Sequence, residues 1–356
     1  MLKKAVRSKW AVLLVVLLLA GCGGGEDETK EKASDSPAVE EKEKPAEETT
    51  AEPQYEETFP LTGKGTNEDV SSRVVGVMIN NHPKARPQSG LHKADVVYEV
   101  LAEGYVTRFL AMFHSQQPEV IGPVRSARDY YINLSNGFNA IYVCHGFSPE
   151  AQVMLNKQNV ADDLNGLYYD GSLFKRADFR RAPHNSYITY ENIEKGAKKN
   201  DYALTDEVKP LPFLTKSELS SLDGQTAKDI MITYSNTNTV SYTYDEQTSM
   251  YQRYSSGEKT VDRETKIPIQ LDNVLIVEAP HQVIDNAGRR EIDLKAGGQG
   301  YLLQRGVLQE VTWKNVNGRI LPYKDGQQMG LVPGKTWINI IPTSPGLSGA
   351  VSMQSE

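Results

Sequence analysis

The chain has 356 residues, 39% hydrophobic and 24% charged, with 18 Tyr, 28 Gly and two Cys. That length holds two domains beyond a leader and a linker. The composition excludes a multi-span membrane protein, a collagen and a wholly disordered chain, and two cysteines exclude a disulfide scaffold and a cysteine-only zinc site. The formal charge of −7 is unevenly placed: residues 1–21 carry +4, residues 22–57 carry −9 and residues 58–356 carry −2. A near-neutral body has no overall field to draw nucleic acid, so an anionic partner must be met by a local patch.

Met1 to Lys9 is basic and Trp10 to Leu19 is apolar, a run too short for a permanent membrane helix, so residues 1–21 are expected to be a signal peptide. It ends in Leu19-Ala20-Gly21-Cys22, the pattern of a lipobox, in which the Cys22 thiol is diacylated and becomes the first residue of the mature chain. Two acyl chains hold a protein on a membrane where one does not, each buried methylene contributing about 0.8 kcal/mol. The alternative is an uncleaved tether, and both readings put the body on the extracytoplasmic face of the cell membrane. Residues 22–57 hold 13 acidic and four basic side chains and almost no aliphatic ones. They cannot bury enough surface to offset chain entropy, and a disordered acidic linker is expected, extended by self-repulsion.

In the body, Val74–Ile79, Asp95–Val100 and Arg108–Phe113 are short apolar runs that predict buried strands. Ser126–Phe138 has Tyr130, Leu134 and Phe138 at helical spacing, Ala140–Cys144 reads as a strand and Pro149–Asn156 as a helix. Alternation of strand and helix predicts an α/β N-terminal domain at 58–215. Asp229–Tyr234, Val240–Tyr244, Met250–Tyr254, Asn273–Glu278, Tyr301–Gln304, Val307–Lys314 and Thr336–Ile341 are strand-like runs parted by turn residues, which predicts a β-rich C-terminal domain at 228–345 with no fixed repeat. Cys144 ends an apolar run and reads as a buried structural thiol. Gly297, Gly298 and Gly300 read as a turn, and Trp313, Tyr323 and Trp337 as core, the alternative being a carbohydrate or partner surface.

The polar chemistry collects in four segments of the first domain: 80–90, 103–108, 122–129 and 174–186. They contain seven arginines against two lysines, and guanidinium groups bind carboxylates and phosphates bidentately where ammonium groups act as point charges. Arg125 and Arg128 are expected to share one helical face, with a helix N-terminus at Ser126 adding backbone donors. Asn81, His82, Arg86, Arg108, Arg125, Arg128, Asp129, His145, Arg176 and His184 are the candidate ligand-binding residues. The alternative is that these arginines make internal ion pairs with Glu103, Asp129 and Asp178. No P-loop, HExxH or complete nucleophile elbow is present, so the residues name no catalytic group, metal or cofactor.

The strings NNHPKARPQSGL, ADVVYEVLAEG, GPVRSARDYY, DGSLFKRADFRRAPHNSY, VNGRILPYKDG and VPGKTWINIIP resemble the YerB family of lipoproteins from Gram-positive bacteria. The resemblance covers nearly all of 70–342. It implies a membrane-anchored lipoprotein with two domains of unknown function and supplies no catalytic residues. A fainter similarity, over about sixty residues at Arg125-Ser126-Ala127-Arg128-Asp129, runs to the LytR-CpsA-Psr phosphotransferases, which act on polyprenyl-pyrophosphate-linked wall glycopolymers. Three readings follow. The leading one is a non-catalytic lipoprotein binding an anionic envelope ligand or a protein partner through its Arg-rich loops. The others are a phosphotransferase in which Arg125 and Arg128 neutralise a pyrophosphate while Asp129 helps hold a divalent ion, and a structural scaffold.

Overall fold

Val75–Asn80 (β1), Val96–Glu103 (β2) and Val106–Phe113 (β3) are buried along almost their whole length, which is why they read as continuous apolar runs. The computed structural model describes residues 54–353; the expected leader, Cys22 and most of the acidic segment lie outside the described residues. The body starts inside the expected linker, since Glu57 pairs with Thr66 in a two-stranded ribbon. The chain continues through Val120–Ile121 (β4), Asp129–Asn136 (α1), Ile141–Cys144 (β5), Pro149–Asn156 (α2), Asp163–Asn165 (β6), Phe174–Arg176 (β7), Ser186–Thr189 (β8) and Tyr190–Lys199 (α3). Beyond a connector come Asp229–Ser235 (β9), Asn238–Asp245 (β10), Met250–Ser255 (β11), Asn273–Ala279 (β12), Gly298–Gln304 (β13), Val307–Val316 (β14), Arg319–Lys324 (β15), Thr336–Pro342 (β16) and Val351–Met353 (β17).

One twelve-stranded sheet organises the molecule, its long members in the order β15–β14–β13–β12–β16–β2–β3–β1–β5–β6. The seam is β16, which pairs in parallel with β12 on one side and with β2 on the other, Thr336 opposite Val96 and Ile340 opposite Val100. The strands of the two predicted domains thus form one continuous sheet. A six-stranded sheet containing β11, β10, β9 and β17 covers one face together with α3, burying Val77, Ile79, Phe109 and Trp337 against Ile232, Val240 and Tyr242. The other face is covered by α1 and α2, which bury Met78, Tyr98 and Leu110 against Tyr131, Leu134 and Leu155. Alternate residues of each central strand feed opposite layers. Each fully buried large aliphatic or aromatic side chain contributes about 1.5–3 kcal/mol.

Helix α2 starts where its capping chemistry directs: the Ser148 side chain accepts from Ala151 N and Pro149 opens the first turn. Helix α1 corrects the sequence reading. It begins at Asp129, with Arg128 extended at φ −133° and ψ 152°, so Arg125 and Arg128 share no helical face and no helix N-terminus lies at Ser126. The cause is tertiary: Ala127 N donates to Gly146 O (2.9 Å) and Ser148 N to Ala127 O (3.2 Å), so the backbone at 126–127 is spent on the loop after β5. The glycine turn is also corrected. Gly298 and Gly300 are strand residues of β13, where a Cβ would sit 2.7 Å from Glu278 O and 2.9 Å from Ile276 O. Trp313 and Trp337 are buried core.

Cys144 is fully buried, and burial, followed by the Asp163 carboxylate, raises its thiol well above the ordinary range. The native protein is therefore expected to leave Cys144 unlabelled by a thiol reagent over hours and to label it at once in denaturant; rapid native labelling would contradict this packing.

Candidate functional site

Residues Gly122–Arg125 stitch three loops together. Asn80 N donates to Pro123 O (2.9 Å), Arg125 N to Met78 O (2.9 Å), Val124 N to Ser186 O (2.7 Å) and His145 N to Arg125 O (3.0 Å). The loops leaving β1 and β5, and the loop entering β8, are thereby brought to one place. Strands β1 and β5 are parallel neighbours, and the site lies at their carboxyl ends, where side chains are presented beyond the sheet.

Three histidines meet the solvent there, and their hydrogen bonds define their tautomers. Asn80 Oδ1 accepts from His82 N (3.0 Å), which leaves Asn80 Nδ2 to donate to His184 Nδ1 (2.9 Å). Lys84 N donates to His82 Nδ1 (3.1 Å). With both Nδ1 atoms accepting, neutral His82 and His184 carry their proton on Nε2. The two rings stack with centroids 4.6 Å apart. His145 is the reverse case: Arg176 donates to its Nε2 (2.7 Å), so its Nδ1–H donates to Ser186 Oγ (2.8 Å). All three titrate below the ordinary histidine value. Partial burial is the main cause, reinforced by Lys84, Arg86 and Arg125 at His82, by His82, Arg125, Lys84 and Arg180 at His184, and by Arg176 at His145.

Arg125 is the least satisfied cation of the group. Its guanidinium has no hydrogen-bond or carboxylate partner among the described residues, and burial together with Arg108 lowers it to about 10. Arg86 is similar at its outer edge. Its Nε donates to Asn81 O (3.1 Å) and Asn81 Oδ1 (3.0 Å), its terminal nitrogens have no partner among the described residues, and burial is the first cause lowering it to about 10. Arg176 is paired with Asp170 at 3.0 Å as well as with His145. The arrangement offers two imidazole N–H groups and two guanidinium edges with no carboxylate hydrogen-bonded to them among the described residues, Glu99 and Glu258 acting on Arg86 only through space, which is the chemistry of an oxyanion site.

The remaining candidate residues are drawn elsewhere. Asn81 is buried beneath the site, donating to Glu99 and Thr107. Arg108 and Arg128 both turn inward to Glu103, and Arg108 also donates to Ser126 O (2.6 Å). Asp129 faces a separate cavity of about 960 Å³, shared with His281, Glu291, Asp293 and Lys295. Its carboxyl is raised by burial, with Glu150 and Glu291 adding to the effect.

Two residues under the site escaped the sequence reading. Glu99 and Arg253 form a fully buried ion pair at 2.8 Å, with Thr107 and Trp337 also donating to Glu99 (2.9 and 3.0 Å). The Arg253 guanidinium packs against both Trp337 and Phe109, 4.7 and 5.2 Å from their ring centroids, and the two rings meet each other edge to face at 5.0 Å. The available signal was a carboxylate inside the apolar run Val96–Leu101, since a charge there demands a partner.

A strand-rich body whose central sheet is covered on both faces, with a loop cluster of arginines and histidines at the strand ends, is the class these observations define. Residues 61–203 match the family described as "Protein of unknown function (DUF3048) N-terminal domain", and residues 230–338 match its C-terminal domain. The chain belongs to this family, as its resemblance to YerB anticipates. The protein named "Putative lipoprotein YerB" of Bacillus subtilis (strain 168) is 53% identical over 284 residues, which is 80% of this chain and 86% of that protein. The crystal structure of the YerB protein from Bacillus subtilis aligns with a TM-score of 0.77 at 50% identity, covering 84% of this chain and 99% of that one.

Proposed function

We propose that the protein is a lipid-anchored lipoprotein on the extracytoplasmic face of the cell membrane, tethered through Cys22, that binds an anionic envelope ligand at the loop cluster of His82, Arg86, Arg125 and His184. The lipobox and the name of the YerB relative support the anchor. The observation that carries the ligand reading is Arg125, half-buried beside two imidazoles with no anion of its own among the described residues. Among the described residues no helix is long and apolar enough to cross a membrane. We read residues 58–215 as an α/β domain, supported by the parallel neighbours β1, β5 and β6 with α2 crossing between the last two, and 228–345 as the β-rich domain that completes the sheet. The phosphotransferase reading draws less support, because Arg128 is committed to Glu103 and Asp129 to a different cavity.

Calorimetric titration of the purified protein with sulfate and with pyrophosphate tests the ligand reading. Both are expected to bind, and Arg125→Ala is expected to weaken them about tenfold or more while the unfolding midpoint stays near wild type. No binding by the wild type, or equal binding by the variant, would overturn it.

A further inference from the structure

The loop cluster and the buried ion pair are joined by a chain of contacts. Asn81 Nδ2 donates to Glu99 Oε1 (3.2 Å), while Asn81 O and Oδ1 hold the Arg86 Nε (3.1 and 3.0 Å) and Oδ1 also accepts from Gln88 Nε2 (3.1 Å). Arg86 lies close enough to Glu99 and Arg253 to feel the charge of both. Glu99 and Asn81 belong to the N-terminal family segment, whereas Arg253 belongs to the C-terminal one. Two guanidinium groups therefore stand near one buried carboxylate. Arg253 takes it, donating from Nη2 to both oxygens (3.0 and 2.8 Å), and Arg86 keeps its terminal nitrogens open.

We infer that Arg253 is a positioning residue for the anion site: by neutralising Glu99 from the C-terminal segment, it keeps Arg86 facing outward for the ligand. Without Arg253, the carboxylate is buried with neutral donors alone, and Arg86, held on the same Asn81 side chain that donates to Glu99, is a cation with free terminal donors. Arg86 would then leave Asn81, pair with Glu99 and withdraw one of the two open guanidinium edges. Anion binding by the N-terminal segment thus requires the C-terminal segment to be docked. This inference rests on the anion-site reading given above.

The test compares Arg253→Met, Arg253→Gln and the double variant Glu99→Gln/Arg253→Met. The Gln variant retains a donor to Glu99 and serves if the Met variant does not fold. Sulfate is the probe. Loss of Arg253 is expected to weaken sulfate about tenfold or more, and the double variant, which has no carboxylate to recruit Arg86, to return to within about threefold of wild type. Folded single variants with wild-type affinity, or a double variant as weak as the single, overturn the inference. A crystal structure of the single variant gives an independent readout. Arg86 paired with Glu99 supports the inference and an unmoved Arg86 refutes it, even if wild-type protein takes no sulfate and the anion-site reading fails.

Discussion

Glu99→Ala is expected to lower the folding free energy by about 3–5 kcal/mol, because it leaves the Arg253 guanidinium buried without its partner, and Arg253→Ala by less, because Arg86 turns in to answer Glu99. The pair is fully enclosed, and every donor around Glu99 (Asn81, Thr107, Arg253 and Trp337) has been taken out of water to meet it. With native domains stable by roughly 5–15 kcal/mol, the Glu99→Ala loss is a large share of the whole. Replacing both at once by apolar residues of similar volume, Glu99→Leu with Arg253→Met, is expected to recover part of that loss, since no charge is then orphaned while Asn81, Thr107 and Trp337 still lose their acceptor. Urea unfolding of the four proteins measures this. Additive losses in the double variant would show that the two residues act separately.

The second large effect is on binding and pH. In the free protein His82, His145 and His184 all titrate below 6.5, each first through burial and then through the cations around it, with Asp170 opposing this at His145. A bound dianion supplies the missing opposite charge and raises all three. Binding therefore takes up protons, and sulfate affinity is expected to rise as the pH falls from 8 toward 5.5, by up to about tenfold for each histidine lifted by one unit. Sulfate keeps its charge across that window, so the change belongs to the protein. His82→Asn with His184→Asn is expected to flatten most of the profile, and an affinity that falls on acidification counts against the site. In the free protein the same shifts run the other way for stability. Their contribution is full above pH 6.5 and declines as the pH drops through the window between the unfolded and folded values.

Much of the secondary structure was legible from local pattern. The runs around Val75–Asn80, Val106–Phe113, Ile141–Cys144 and Asn273–Ala279 declare themselves by continuous apolar residues, and Pro149–Asn156 by a Ser-Pro start, because period and capping are set by near neighbours. The candidate site was legible in outline: three of the four polar segments come together in the fold, bringing His82, Arg86, Arg125, Arg176 and His184 to one place, while His145 joins them from the loop after β5. Which arginines stay open was not. Arg108 and Arg128 are buried and have Glu103 within reach, where Arg125 is half-buried with no carboxylate, and Glu103 is brought to them by the hairpin of β2 and β3.

By itself the sequence determined the family, the strand-forming segments and the concentration of arginine in a few loops. The tertiary structure alone decided that β16 is the seam between the two segments, that α1 begins at Asp129, and that Glu99 is answered by Arg253 from 154 positions away. The physical reason is common to all three. An apolar run or a charge specifies that it must be buried or paired, but its partner is chosen by the packing of the whole chain.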